Sequence, residues 1–292
     1  MNNVIRQIKD ALLLFPEQTQ LAISVIKHQK VIHYGFVKNS DGTSVINNAE
    51  AAFEIGSITK VFTATLLALM IESGKLCLDD PIEKFLPFTI KGKPAITLKH
   101  LVSHTSGLPR LPSDFFSHPD YLASNPYLNY NEQRLITYLS EYIELESSPG
   151  EQFSYSNLGY GLLSYVLTIF NDQLFEKLIE KYILLPLKMH HSGFNRKSIK
   201  TSIVKGMDSQ GAIASSWDGG VLSGCVGMLS TSSDLSKFAL QMLKPKKVDN
   251  LQLQVLAEIR PGASMCMGWA RSSALQEPEI FGMEAVPLVL AR

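Results

Sequence analysis

The sequence predicts an α/β protein in which both ends of the chain supply strands and the middle supplies helices. Two β-type runs follow an amphipathic segment at the N-terminus. From Leu76 to Phe194 short helical stretches alternate with loops containing Pro, Gly and Asn, and from Val204 onward the chain is strand-like again and rich in Gly and Ser. The expected division is 1–75 for the first part of an α/β domain, 76–200 for an inserted all-helical domain, and 201–292 for the second part of the α/β domain.

Each element follows from its own pattern. Val4, Ile5, Ile8, Leu12 and Phe15 recur at helical spacing with Arg6, Lys9 and Asp10 between them, which makes an amphipathic surface helix. QLAISVIK (Gln20 to Lys27) and KVIHYGFV (Lys30 to Val37) are separated only by His28-Gln29 and form a hairpin. AAFEI (Ala51 to Ile55) is a third strand that runs through Gly56 into SITKVFTATLLALMIESG, a helix closed by Gly74. The middle holds a long polar stretch from Pro109 to Asn131, and SSDLSKFALQML (Ser232 to Leu243) is an amphipathic helix capped by Ser232 or Ser233.

Composition narrows the function classes. With 292 residues, 45% hydrophobic and 18% charged, the chain buries a large core. Lys plus Arg and Asp plus Glu both number 27, so there is no basic field for nucleic acid and no basic face for an anionic membrane. The partner expected is a small-molecule or peptide substrate. No uninterrupted apolar stretch with a small-residue cleavage site begins the chain, and no run is long enough to span a bilayer, so it reads as a cytoplasmic protein. Cys77, Cys225 and Cys266 are far apart in apolar surroundings and are expected to be buried free thiols.

The chemistry centres on Gly56-Ser57-Ile58-Thr59-Lys60. A serine hydroxyl needs a base and a place for developing negative charge. Helical positions three apart share a face, which sets the Lys60 amine beside Ser57. First-turn N–H groups favour an oxyanion, and an amine in an apolar site can lose its proton near neutral pH. Taken alone, Ser-x-x-Lys occurs by chance roughly once in a chain of this size. Context comes from PGEQFSYSN (Pro149 to Asn157), where a turn leads into Tyr155-x-Asn157 ahead of an apolar helix. A phenol near a lysine can shuttle a proton, and the asparagine can hold the lysine and a substrate amide.

These landmarks combine in a resemblance. FEIGSITK, ITLKHLVSHTSGLP (Ile96 to Pro109), PGEQFSYSNLGYGLL (Pro149 to Leu163), LPLKMHHSGF (Leu185 to Phe194) and SGCVGMLSTSSDLSKFAL (Ser223 to Leu240) resemble, in order, the class C β-lactamase family, which includes DD-peptidases and esterases. The resemblance covers Leu21 to Trp269 and implies an α/β sandwich, an antiparallel sheet flanked by helices, with the C-terminal strands missing. It implies that Ser57 is acylated by a β-lactam, a D-alanyl peptide or a small ester in a bacterial cell. Lys60 and Tyr155 then share proton transfer, Asn157 orients the substrate, and no cofactor is needed.

Other readings remain beside it. His104 lies in the His-Thr-Ser-Gly turn as a structural, hydrogen-bonded residue. His100 and His104 have the spacing of two metal ligands on one helix face, but Leu101 stands where a zinc protease has its glutamate. His190 and His191 read as loop residues pointing different ways. The family's Lys/His-x-Gly strand should follow Met267-Gly268-Trp269, and the chain reads IFGMEAVPLVLAR instead. A truncated remnant that only binds a ligand or partner is therefore the alternative. Read from the third base of each codon, Met283-Glu284 forces a glycine and the codons after it permit a Gly-Gly-Thr run. A shift of reading frame near Phe281 or Gly282 is thus expected, and sequencing the coding DNA tests it.

Overall fold

The computed structural model describes residues 2–243, 251–272 and 279–282. Helix α1 (Asn2–Leu12) brings Ile5, Ile8 and Leu12 together with Leu21, Tyr34 and Phe36 of the hairpin formed by β1 (Gln20–Lys27) and β2 (Lys30–Asn39). The hairpin register runs from Gln20 opposite Val37 to Lys27 opposite Lys30. His28 and Gln29 take φ of +47° and +62°, the left-handed pair that a tight two-residue hairpin turn demands. A third strand that sequence reasoning did not find, β3 (Gly42–Val45), pairs with β2. Its Gly-Thr-Ser-Val carries too little β propensity to announce itself.

Strand β4 (Ala52–Glu54) leaves this sheet and pairs with β5 (Leu229–Thr231), so chain segments far apart in sequence meet directly before Ser57. β6 (Ala257–Arg260), β7 (Ala263–Met265), β8 (Trp269–Ser272) and β9 (Glu279–Gly282) form a four-stranded sheet in that order. The strand pairings in all three sheets are antiparallel. The stretch 283–292, on which the expectation of a shifted frame rests, lies outside the described residues.

Helix α2 (Thr59–Glu72) is buried at every position from Thr59 to Ala68, as its apolar residues on all sides dictate. Around it lie α3 (Leu98–Val102), α4 (Glu132–Thr137), α5 (Asn157–Asn171) and α6 (Phe175–Ile179), whose apolar faces share one core reaching from Ile55 to Met267. The expected polar stretch between Pro109 and Asn131 is not polar throughout: Phe115, Tyr127 and Tyr130 are buried in that core.

Helix α7 (Ser232–Met242) packs against β1 and β5. Its cap is Thr231 rather than Ser232 or Ser233. Thr231 keeps extended dihedrals as the last residue of β5, and its hydroxyl accepts from the Asp234 N–H at 3.0 Å. A second correction concerns the thiols. Cys225 and Cys266 are buried, but Cys77 is exposed beyond the end of α2, and all three are free. Among the described residues no helix is long and apolar enough to cross a membrane.

Candidate active site

Ser57 lies in a 3₁₀ turn, Gly56 to Ile58, and not within α2 as the sequence suggested. The expected pairing survives the shift, because the turn runs straight into α2 and Lys60, in the first turn of that helix, still faces Ser57. Lys60, completely buried, donates from Nζ to Ser57 Oγ at 2.9 Å and to the Cys225 carbonyl at 3.0 Å. The Tyr155 hydroxyl donates to the same Ser57 Oγ at 2.7 Å. Lys60 Nζ also lies 4.8 Å from the Tyr155 ring centre and 5.8 Å from that of Tyr160. None of the ion pairs among the described residues includes Lys60, so carbonyl, hydroxyl and ring faces replace a carboxylate around a buried amine.

The Cys225 carbonyl reaches Lys60 because the chain before it has no side chain. A Cβ on Gly224 would lie 2.4 Å from Ser164 Cβ and 2.6 Å from the Tyr160 carbonyl. Thr63, three residues after Lys60, donates to the Gly224 carbonyl at 2.7 Å, so α2 grips this segment twice. Burial pushes the Cys225 thiol up to about 11.

Tyr155 and Asn157 enter from the start of α5. Ser156 caps that helix, accepting from the Gly159 N–H at 2.8 Å and donating to the Pro109 carbonyl at 2.7 Å. Asn157 does not hold Lys60, contrary to the sequence reading. Its Nδ2 donates to Tyr127 Oη at 3.0 Å, and its Oδ1 has no partner among the described residues. Tyr127 is therefore a site residue that sequence reasoning missed. Burial pushes its phenol well above the ordinary tyrosine range. Asn125-Pro126, a turn dipeptide placing an aromatic at a fixed point, was the one available signal.

The histidines have separate tasks. His100 accepts the Thr97 N–H on Nδ1 at 3.2 Å in the capping box of α3. His104 follows the end of that helix, buried, and accepts the Ser156 N–H on Nδ1 at 3.0 Å. The two thus serve backbone caps on different segments and do not share a helix face. His190 is exposed, whereas His191 pairs with Glu50 at 2.9 Å. Arg110, exposed, holds its guanidinium carbon 5.0 Å from the Tyr155 ring centre.

The description of the beta-lactamase family matches residues 15–266. A beta-lactamase of Pseudomonas fluorescens is 29% identical over 266 residues, 88% of this chain and 70% of that protein. The D-alanyl-D-alanine-carboxypeptidase/endopeptidase AmpH of Escherichia coli (strain K12) is 30% identical over 195 residues, 64% of this chain and 48% of that one. Protein flp of Staphylococcus aureus (strain NCTC 8325 / PS 47) is 31% identical over 185 residues, 62% of this chain and 36% of that one. The match thus spans less than half the length of the last two. Among solved structures, the octameric penicillin-binding protein homologue from Pyrococcus abyssi aligns with a TM-score of 0.72 at 25% identity, covering 96% of this chain and 66% of that one. The beta-lactamase/D-alanine carboxypeptidase from Yersinia pestis, complexed with citrate, shares the fold with a TM-score of 0.75 at 21% identity, covering 94% and 82%. The α/β architecture with antiparallel sheets is therefore the one expected from the sequence.

Proposed function

The chain belongs to the beta-lactamase family, and from that membership we propose that it is a serine hydrolase of the class C type with Ser57 as nucleophile. The observation carrying this reading is the convergence of Lys60 Nζ and Tyr155 Oη on Ser57 Oγ, at 2.9 and 2.7 Å. Once the Tyr155–Lys60 pair has given up one proton to water, Ser57 Oγ bonds to the substrate carbonyl carbon while its own proton passes to that pair and the carbonyl electrons move to oxygen. The Ser57 N–H, at the head of the turn that leads into α2, is the donor proposed for that oxyanion, since the Ile58 and Thr59 N–H groups are engaged by the Ile55 and Gly56 carbonyls. Its collapse breaks the bond to the leaving amine or alcohol, which takes up the proton. Water, deprotonated by the same pair, then hydrolyses the acyl ester and restores Ser57. Asn157 Oδ1, buried and without a partner among the described residues, is the acceptor proposed for a substrate N–H.

The substrates proposed are a β-lactam, a D-alanyl peptide or a small ester. The test is turnover of nitrocefin, D-alanyl-D-alanine peptides and p-nitrophenyl acetate by wild type and Ser57→Ala, with intact mass measured after a fluorescent penicillin. The expected result is turnover of at least one substrate and an adduct on the wild type only, with Ser57→Ala slower by on the order of a thousandfold or more. Equal turnover by both proteins, or neither turnover nor adduct with the wild type, overturns the reading.

A further inference from the structure

We infer that His104 is a positioning residue that fixes the Tyr155 hydroxyl on Ser57; the inference rests on the reading of Tyr155 as a proton-transfer group. His104 holds the chain on both sides of Tyr155. Its carbonyl accepts the Ser154 N–H at 2.8 Å, and its Nδ1 accepts the Ser156 N–H at 3.0 Å. Between these two bonds its ring stacks on the Tyr155 ring, 4.6 Å between centres and 26° between planes. Carbonyl before, ring upon, ring nitrogen after: one residue constrains the position and the tilt of a single phenol.

The clamp sits where α3 ends. His104 takes φ of +58°, the left-handed residue that follows the cap, with the Thr105 N–H on the His100 carbonyl at 2.9 Å. The ring is buried, and desolvation first, then the Lys60 and Arg110 cations, hold it well below the ordinary histidine range. A neutral ring whose Nδ1 accepts must carry its proton on Nε2. It can therefore take the Ser156 N–H without setting a second cation beside Lys60.

The clamp is separable from the fold around it. Residues 146–158 are tied to 105–110 at other points: Gly150 N–H to the Thr105 carbonyl, Glu146 N–H to that of Gly107, and Asn157 and Leu158 N–H to that of Arg110. Gly107 lets these segments touch, because a Cβ there would lie 2.0 Å from the Ser147 carbonyl oxygen. Losing the His104 ring leaves those ties and the Ser154 bond to the His104 carbonyl in place, and removes the Ser156 bond together with the ring's contacts on Tyr155, Tyr160 and Phe153.

The test is the acylation rate by a fluorescent penicillin, with kcat and KM on whichever substrate the wild type turns over. His104→Asn keeps an acceptor where Nδ1 stands and tolerates the left-handed backbone. His104→Phe keeps the ring and loses the acceptor. We expect His104→Phe to lower kcat tenfold or more with KM within twofold, and His104→Asn to stay within about threefold of wild type. The Tyr155→Phe background separates positioning from general structural damage, because residues acting as a unit are non-additive. There, His104→Phe should cost less than twofold. An equal cost in both backgrounds overturns the clamp alone, as does an unchanged kcat in His104→Phe. A Tyr155→Phe enzyme as fast as wild type overturns the reading of Tyr155 and this inference with it. If His104→Phe does not fold, His104→Gln replaces it, since its acceptor lies one bond too far out; rates for Gln and Asn that do not differ overturn the clamp.

Discussion

Asn157 is oriented by the hydrogen bond it gives, and Tyr127 is what receives it. With Nδ2 engaged at 3.0 Å, the amide plane is fixed, and the buried carbonyl end has no partner among the described residues. Tyr127→Phe removes the acceptor and leaves a buried N–H unpaired, a loss of roughly 1–3 kcal/mol. The amide is then free to turn over and present the wrong end. We expect kcat/KM to fall about tenfold on lactams or peptides that offer an N–H, equivalent to about 1.4 kcal/mol. Phenyl esters, which offer none, should change much less. Steady-state kinetics on one substrate of each kind checks this, and equal losses on both would mean that Tyr127 serves only the core. The grouping of Ser57, Lys60 and Tyr155 was legible in the sequence because each stands in a short motif whose spacing survives into the fold. Tyr127 was not, because nothing periodic marks a residue in a loop. The Cys225 carbonyl was not, because a backbone oxygen has no residue type.

At the scale of elements, the site depends on how closely α2, α5 and the segment around Gly224 approach. Gly224→Ala would set a methyl group against Ser164 and the Tyr160 carbonyl, and overpacking of this kind costs about 1–3 kcal/mol. Because the Cys225 carbonyl would be displaced from Lys60, activity should fall further than the change in melting temperature accounts for. Thermal melts beside kinetics below the melting transition separate the two effects. The cap of α7 gives a cleaner case. Thr231→Ala should cost about 1 kcal/mol and lower the melting temperature, while Ser233→Ala should have a smaller effect, with kcat unchanged in both. The reverse order would restore the cap read from the sequence. That reading failed because Thr231 is simultaneously the end of a strand and the start of a helix. Three successive hydroxyl residues offer the same chemistry, and only the dihedrals choose among them. The hairpin and α2 were legible for the opposite reason, since the alternation of Gln20 to Lys27 admits one period and the mainly apolar run after Lys60 is too long for a strand before Gly74 closes it.

For the molecule as a whole, the same burial that keeps His104 neutral sets the response to acid. Burial, with the nearby Lys60 and Arg110 cations, depresses its native affinity for a proton far below that of the unfolded chain, where a histidine titrates near about 6.5. Below that pH the unfolded state binds a proton that the native ring refuses, so stability falls as pH falls, by up to about 1.4 kcal/mol per pH unit from this residue. His100, depressed by burial and by Lys99, acts in the same direction. Glu50 and Asp80 are also lowered, by hydrogen bonds from Ser233 and from the Cys77 N–H respectively, and they too favour the native state at higher pH. Their contribution is lost only as pH drops through and below the ordinary carboxylate range, whereas that of the histidines begins near neutrality. Between about pH 6.5 and 5 the decline in stability should therefore belong mainly to buried imidazoles. Denaturant midpoints across that interval should fall for the wild type and fall less steeply for His104→Asn, which has no proton to refuse at this position. Parallel curves for the two proteins would show that the His104 ring takes up its proton without leaving the fold.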